Sequence, residues 1–368
     1  LMHSVCAKTK KICFFSGVIA RSGGTERVGT LIANELSKRG FEVIILSMWN
    51  QGNSFFYIEP KVKVNYLLNP KKEGKLYRTY LYPVIKLRRF LCKNNVDVLI
   101  DIDSLLSKYS ILATRGTKCK IISWEHFNYW NDKTSKKRIR TKELVKKYAD
   151  KLVVLTDEDK MAHINKMNFP NDKIVRIYNP SPFEIDNLMY KFENKIFLTV
   201  GRLTEEKGYD LLLGAWQLFE KQNKEWKLLI VGDGEKKENL FKLRKQLKLK
   251  NVEFVGKVND VENYYRNSSC YILSSRHEGF PMVILEAESF GLPIISFDCK
   301  TGPKEMILNN DNGYLINNGD IKLLSKKMLD FVNDKEKAYK MSKSSIEKVK
   351  KLSIEKIGDE WQYLIENI

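Results

Sequence analysis

Long apolar runs are missing from this sequence. None approaches the roughly 18–20 residues of a membrane-spanning helix, and residues 1–11 have no apolar signal core, so the expectation is a chain that does not cross a membrane. Cysteine is sparse. Cys6, Cys13, Cys92, Cys119, Cys270 and Cys299 stand singly with no C-x-x-C pair, which argues against a zinc site or a disulfide framework and for a reducing compartment. There is no short repeat period and no low-complexity tract, which removes solenoids and linkers. The G-x-G-x-x-G fingerprint is absent after the first apolar strand, against a nicotinamide dehydrogenase. Zinc-finger spacing, an RNA-recognition aromatic motif and a basic coiled coil are also absent, so a non-enzymatic nucleic-acid-binding protein stands only as an alternative.

What is present fits an ordered globular protein. Hydrophobic residues make up 43% and charged residues 30% of the 368. That length exceeds one ordinary core, so two domains of roughly 150–200 residues are expected. The net charge of +19 is unevenly spread. Residues 1–180 hold 34 Lys and Arg against 16 Asp and Glu, a balance of +18, whereas residues 181–368 hold 30 against 29. Solubility does not require a one-sided excess; an anionic lipid surface or a nucleic acid would attract one.

The first half alternates apolar runs with helical stretches. Residues 11–15 read as a buried strand, 16–24 as a glycine-containing loop and 25–39 as a helix stopped by Gly40. Further strands are expected at 43–46, 64–68, 96–100, 120–122 and 152–155. The two prolines of Asn179-Pro180-Ser181-Pro182 break the pattern and mark a hinge. The rhythm then restarts with a strand at 196–200, a loop at 201–208 and a helix at 209–221. Strands follow at 227–231, 252–255, 270–273 and 293–296, and helices run from 321 to the end. The fold class is therefore α/β: two Rossmann-like domains, 1–180 and 181–352, with mostly parallel sheets facing across a cleft. A C-terminal helix over 353–368 is expected to rejoin the first domain.

The most informative segment is 271–291. A strand end is followed by the loop Arg276-His277-Glu278-Gly279-Phe280 and a helix from Pro281 to Phe290, with Pro281 suited to the first helical position and Gly291 to the stop. Unpaired N–H groups of Met282, Val283 and Ile284 at that helix start, together with the macrodipole, make a seat for a diphosphate. Glu286, one turn further in, would be repelled by phosphate, but its two oxygens suit the vicinal hydroxyls of a ribose. Glu278 is then left to reach a sugar. The competing reading is two glutamates on a solvated helix and its N-terminus. Upstream, Gly201-Arg202-Leu203-Thr204-Glu205-Glu206-Lys207-Gly208 follows a strand, so Arg202 and Lys207 stand where such folds bind ligands. Two fixed cations there would neutralise a departing diphosphate without a metal; the competing reading is an exposed basic loop paired with Glu205 and Glu206. Asp101-Ile102-Asp103, at another strand end, offers a pair of carboxylates for a divalent ion. That is the basis of an alternative, metal-dependent transfer.

Taken together these segments resemble the group 1, family 4 glycosyltransferases of GT-B architecture over nearly the whole chain. The family's two glutamates separated by seven residues are matched by Glu278 and Glu286. The resemblance implies that Glu278 contacts donor-sugar hydroxyls and steadies developing positive charge, that Glu286 holds the ribose, and that Arg202 and Lys207 bind the diphosphate. Gly279, Phe280 and Pro281, inside the same motif, count with the substrate-binding residues, and the backbone at Val258 falls where the family meets the nucleobase. Ser22-Gly23-Gly24-Thr25-Glu26-Arg27-Val28 is similar to the family's glycine-rich loop, in which Gly23 and Gly24 would let the backbone approach diphosphate and sugar. Ser123-Trp124-Glu125-His126-Phe127-Asn128 resembles the stretch that holds the active-site histidine, so His126 is expected to position donor or acceptor rather than carry a proton. Trp124 departs from the pattern and is expected to reshape the acceptor cleft.

The resemblance further implies a retaining transfer with no metal and no other cofactor. It moves a hexose or N-acetylhexosamine from a UDP-sugar to a lipid-linked saccharide in bacterial surface polysaccharide or glycan biosynthesis, in the manner of N-acetylgalactosaminyltransferases that extend lipid-linked oligosaccharides. The basic half fits such an acceptor. Residues 75–93 mix aromatic, aliphatic and basic side chains as an interfacial segment does, split at Pro83, and 133–147 include Lys136, Lys137, Arg138 and Arg140. Near an anionic surface each well-placed cation contributes about 1 kcal/mol. The expectation is a cytoplasmic enzyme, peripheral at the inner face of the membrane through its N-terminal half, with no nucleic-acid partner.

Overall fold

The computed structural model describes residues 9–69, 80–132, 135–185 and 190–368. The chain divides into two units, Leu1–Pro180 with Ile354–Ile368, and Ser181–Ser353. The first is built on seven strands: β1 (Lys11–Ser16), β2 (Glu42–Trp49), β3 (Lys63–Leu68), β4 (Val98–Ile102), β5 (Lys120–Trp124), β6 (Lys151–Val154) and β7 (Ile174–Arg176). Every pairing is parallel, in the order β3-β2-β1-β4-β5-β6-β7. β4, Val-Leu-Ile-Asp-Ile, is buried along its whole length, as a strand must be when helices cover both faces. Those helices are α1 (Gly24–Lys38), α2 (Leu81–Lys93), α3 (Ser107–Thr114), α4 (Tyr129–Asp132), α5 (Lys136–Tyr148) and α6 (Asp157–Met167). Strand order reverses between β1 and β4, and the carboxyl edge at such a reversal is where folds of this class bind ligands.

The second unit repeats the plan with six parallel strands: β8 (Ile196–Val200), β9 (Lys227–Val231), β10 (Val252–Gly256), β11 (Cys270–Leu273), β12 (Ile294–Asp298) and β13 (Gly313–Asn317). The helices are α7 (Tyr209–Glu220), α8 (Lys237–Gln246), α9 (Glu262–Arg266), α10 (Met282–Ser289), α11 (Pro303–Met306), α12 (Ile321–Val332) and α13 (Lys335–Val349). The order is β10-β9-β8-β11-β12-β13, so here the reversal falls between β8 and β11. Under one face of this sheet Phe197 meets Trp216, Phe219 and Trp226 at 5.9, 5.6 and 4.9 Å. All four rings are buried, each worth roughly 1.5–3 kcal/mol relative to exposure. That packing gives the two loops at the reversal a rigid base.

The last helix, α14 (Ile354–Glu366), belongs to the first unit. It turns Ile357, Trp361, Leu364 and Ile365 inward, and Arg39 at the end of α1 donates to Asp359 and to the Glu355 carbonyl, both at 2.6 Å. Gly358 allows the approach: a Cβ there would lie 2.8 Å from Glu35 Cγ. Two helix starts differ from the sequence reading. α1 begins at Gly24, with Gly23 as its extended N-cap, and α10 begins at Met282. Pro281 has a helical φ of −72° but a ψ of 95°, so it stands before the helix instead of in its first position. No helix among the described residues is long and apolar enough to cross a membrane.

Candidate functional site

In the second unit the loops leaving β8 and β11 bring distant residues together. Glu278 is buried, and its Oε1 accepts from Lys207 Nζ at 2.7 Å and from Ser275 Oγ at 2.6 Å. Its backbone carbonyl accepts from Thr301 Oγ1 at 2.8 Å. Arg276 pins the loop from behind, donating to the Glu205 carbonyl at 2.9 Å and forking onto Asp210 at 2.8 and 2.7 Å; the fork holds the Asp210 carboxyl below its ordinary range. Gly208, at φ +62°, allows the two loops to approach, since a Cβ there would sit 2.1 Å from the Ser274 carbonyl oxygen. Arg202 is exposed on the same loop as Lys207.

α10 follows directly. Ile284 N–H donates to the Pro281 carbonyl at 2.9 Å, whereas the N–H groups of Met282 and Val283 have no acceptor among the described residues, as first-turn donors do not. Glu286 is buried, and the Tyr265 hydroxyl donates to its Oε2 at 2.6 Å. The Tyr265 ring lies parallel to Phe290, centroids 5.8 Å apart, with Phe183 edge-on to both. Ring packing thus fixes the phenol, and the phenol fixes the carboxylate. Val258 lies just past β10, half-buried.

In the first unit β5 runs into Glu125-His126-Phe127-Asn128. Glu125 is 0% exposed. The Ser104 hydroxyl donates to its Oε2 and the Phe127 N–H to its Oε1, the latter at 2.8 Å; Lys142 Nζ lies 3.3 Å from Oε2 and Arg138 Nη1 3.6 Å from Oε1. Burial alone would raise this carboxyl, but the two cations and the two hydrogen bonds more than offset it and bring it down to about 2. Lys142 also donates to His163 Nε2 at 2.8 Å, while His163 Nδ1 lies 2.9 Å from the Asp159 carbonyl. These partners assign the proton to Nδ1 and a neutral ring; burial, then the Lys142 charge, take His163 down to about 4.

His126 is likewise pushed down to about 4, chiefly by burial, so its imidazole is neutral near pH 7. Its ring centroid is 4.6 Å from that of Trp124, which is 4.6 Å from that of Trp361 on α14. Nε2 of His126 is buried without a hydrogen-bond partner. Nearby, Asp103 takes a fork from Arg138 at 3.1 and 3.0 Å and accepts from Leu105 N–H at 3.0 Å. Its φ of +92° is a strained conformation for a residue with a Cβ. Asp101 accepts from Ser107 Oγ at 2.7 Å and Ser110 Oγ at 2.5 Å, and burial raises its carboxyl to about 7.

A family model described as Glycosyl transferases group 1 matches residues 185–348, and one described as Glycosyltransferase Family 4 matches residues 22–182. The chain is 37% identical over 360 residues to an uncharacterized glycosyltransferase of Haemophilus influenzae, covering 97% of this chain and 100% of that one. It belongs to the group 1, family 4 glycosyltransferases. It is also 29% identical over 364 residues, 97% of this chain and 99% of the other, to the GalNAc-alpha-(1->4)-GalNAc-alpha-(1->3)-diNAcBac-PP-undecaprenol alpha-1,4-N-acetyl-D-galactosaminyltransferase of Campylobacter jejuni. Among solved structures, S. aureus TarM in complex with UDP and alpha-GlcNAc-glycerol matches with a TM-score of 0.80 at 17% identity, covering 97% of this chain and 100% of that one. That likeness shows the GT-B fold.

Within this glycosyltransferase the residues expected from sequence fall into two groups. Arg202, Lys207, Glu278, Gly279, Phe280, Pro281, Met282, Val283, Ile284 and Glu286 stand on the β8 and β11 loops and α10, with Val258 after β10. Gly23, Gly24 and His126 stand at the carboxyl edge of the first sheet. Several expectations need correction. Ile284 is not an open donor, because Pro281, outside the helix, takes its N–H. Glu278 pairs with Lys207, and neither glutamate is on the solvated face that the competing reading required. Trp124 is 0% exposed, so it lies beneath His126 and cannot shape an acceptor surface directly. Asp101 and Asp103 do not converge: one is committed to two serines and the other to an arginine fork. Arg138 turns inward with 14% of its side chain exposed, out of the basic face it was read into. Residues 75–79 of the expected interfacial stretch, Lys133 and Cys6 lie outside the described residues. Tyr265, Asp210 and Lys142 carried no signal in the sequence and reach Glu286, Arg276 and Glu125 only through the packing of elements distant in the chain, whereas Ser275 and Arg276 lie in the Glu278 loop itself and were passed over.

Proposed function

We propose that this glycosyltransferase is retaining and metal-independent, and that it moves a hexose or N-acetylhexosamine from a UDP-sugar to a lipid-linked saccharide during assembly of a bacterial surface polysaccharide or glycan. The observation that carries the reading is the group around the start of α10: open N–H donors of Met282 and Val283, the Lys207–Glu278 pair at 2.7 Å, and Glu286 oriented by Tyr265. The UDP in the TarM complex and the undecaprenol-linked saccharide in the name of the Campylobacter enzyme support the carrier and the acceptor class. In this reading the second domain takes the donor. Arg202, Lys207 and the helix start receive the diphosphate, Glu286 the ribose, the Val258 backbone the base, and Glu278 the sugar. The first domain takes the acceptor, with Gly23 and Gly24 allowing close backbone approach and His126 offering a neutral ring.

The acceptor oxygen attacks the anomeric carbon on the face the diphosphate leaves, and its proton passes to the departing phosphate oxygen. Charge growing on the diphosphate is met by Arg202 and Lys207, which takes the place of a metal. Neutral His126 hydrogen-bonds without holding the proton. Exposed Leu81 and Ile85 beside Arg89 on α2, and exposed Ile139 and Leu144 beside Arg140 and Lys147 on α5, support peripheral docking on an anionic inner membrane face.

The test is a thermal-shift panel of nucleotide sugars, then transfer to a synthetic lipid-diphosphate saccharide with the product anomer read by NMR, with and without EDTA. UDP donors should stabilise the protein, the product should keep the donor's anomeric configuration, and EDTA should have no effect. Glu278→Ala should lose on the order of 100-fold in turnover at saturating donor. An inverted product, activity restored by manganese after EDTA, or normal turnover of the variant overturns the reading. Flotation with anionic and neutral vesicles at low salt tests the membrane part, which equal binding to both would remove; binding to duplex nucleic acid at moderate salt would count against the enzyme reading of the charge.

A further inference from the structure

Arg138 connects the residues on either side of His126. Its guanidinium lies 4.0 Å from the centre of the Phe127 ring, and its Nη1 is 3.6 Å from Glu125 Oε1. The same group forks onto Asp103 at the end of β4. Glu125 Oε1 also accepts the Phe127 N–H at 2.8 Å, which closes a turn around His126. A planar cation that stacks on one neighbour, pairs with the other and is anchored on Asp103 at a second strand end therefore holds the tripeptide from both sides.

The helical period explains why this arginine differs from the basic residues around it. Arg138, Thr141, Lys142 and Val145 lie along one face of α5, turned toward the sheet, while Lys136, Lys137 and Arg140 are exposed. The strained φ of Asp103 points the same way, because such a conformation persists only where its surroundings hold it, and the Arg138 fork holds this carboxylate together with the Leu105 N–H. Lysine would keep the charge and lose both the fork and the stacking.

We infer that Arg138 is a positioning residue for His126: it sets the direction of the imidazole by gripping both chain neighbours and does not itself touch substrate. The inference rests on the reading of His126 as the working side chain of the first domain.

The experiment compares Arg138→Lys, Arg138→Met and Phe127→Leu, alone and with His126→Ala, using the donor and acceptor that the panel identifies. With only four histidines in the chain, the ring signal of His126 can be assigned by its loss in His126→Ala. Arg138→Met should lower kcat by about tenfold or more, leave donor KM and the UDP thermal shift unchanged, and move or broaden the His126 ring signal. Arg138→Lys should recover part of the rate. Phe127→Leu, which leaves every ion pair in place, should show a smaller loss of the same kind, and it carries the test if Arg138→Met does not fold. In the His126→Ala background neither change should cost anything further. Unchanged kcat and ring signal in Arg138→Met or Phe127→Leu, or full additivity with His126→Ala, overturns the inference. Should His126→Ala itself keep normal turnover, the role of His126 fails, and the ring signal alone then decides whether Arg138 orients it.

Discussion

Lys142→Met removes one positive charge from a place that water does not reach. Lys142 is 1% and Glu125 0% exposed, their charged atoms are 3.3 Å apart, and the ammonium also donates to His163 at 2.8 Å. Taking one partner from a buried pair costs about 3–5 kcal/mol. Glu125 keeps Arg138, the Ser104 hydroxyl and the Phe127 N–H, which places the expectation at the lower end. The carboxyl points the same way: these charges and hydrogen bonds hold it down to about 2 against an ordinary 4.5, so the stability it contributes is present above pH 4.5 and lost as pH falls through 2. An exposed pair such as Lys195–Glu225, 42% and 69% exposed, is screened by water and contributes little by comparison. The assay is thermal unfolding followed by tryptophan fluorescence and circular dichroism, with separate transitions assigned to the two units. At roughly 2–4 °C per kcal/mol, the first-unit transition should fall by about 6–12 °C while the second-unit transition stays in place. Combining Lys142→Met with Glu125→Gln should recover part of the loss, because no lone charge then remains buried, with a coupling above about 1 kcal/mol. A loss below about 1 kcal/mol, or a double variant no better than the sum of the singles, would refute the buried-pair account.

Tyr265→Phe keeps the ring stack on Phe290 and removes only the hydroxyl that orients Glu286. A hydrogen bond to a charged group is worth about 1.5–3 kcal/mol, so UDP affinity measured by calorimetry should weaken roughly ten- to a hundredfold; unchanged affinity would count against Glu286 as the ribose ligand. Asp101→Asn tests a carboxyl whose pKa is raised to about 7 by burial against an ordinary 3.8. The folded chain keeps a proton there that the unfolded chain has lost, so wild-type stability should fall, relative to the variant, as pH rises from 4 to 7. The difference should reach on the order of 4 kcal/mol in urea unfolding at the two ends of that window. A variant that tracks the wild type across it would show that Asp101 ionises without cost.

Much of the architecture was readable because parallel strands covered on both faces are continuous apolar runs, and β1, β4, β8 and β11 each show one. The two strands that escaped notice, β7 and β13, each lie at one edge of a sheet. β7 is three residues long with one buried, and β13, Gly-Tyr-Leu-Ile-Asn, begins on a glycine. The α10 segment was legible because strand end, loop and helix start are contiguous in sequence. The pairing of Lys207 with Glu278 was not, since the two are 71 positions apart and meet only because β8 and β11 are neighbours. Pro281 misled because sequence fixes the φ of a proline but not its ψ, and ψ is what put it outside the helix.

The charge of the first half calls for a different correction, since a count of cations does not say which way they point. Arg39 is spent on Asp359 and α14, Arg138 on Asp103, Lys142 on Glu125 and His163, and Arg176 stacks over Tyr178 at 4.0 Å with Glu360 3.6 Å away. Each of these is an internal joint, neutralised by a partner close by, and exerts little field outside the fold. The outward remainder on α5, Lys136, Lys137, Arg140 and Lys147, alternates with exposed Ile139, Leu144 and Tyr148. One helix period therefore separates two uses of the same residue types: cations at 138 and 142 order the His126 loop, and cations at 136, 137, 140 and 147 meet the surroundings. Because the two sets lie on opposite faces, changing the outer lysines should act on salt-dependent binding and leave the first-unit core in place, whereas changing the inner pair should do the reverse.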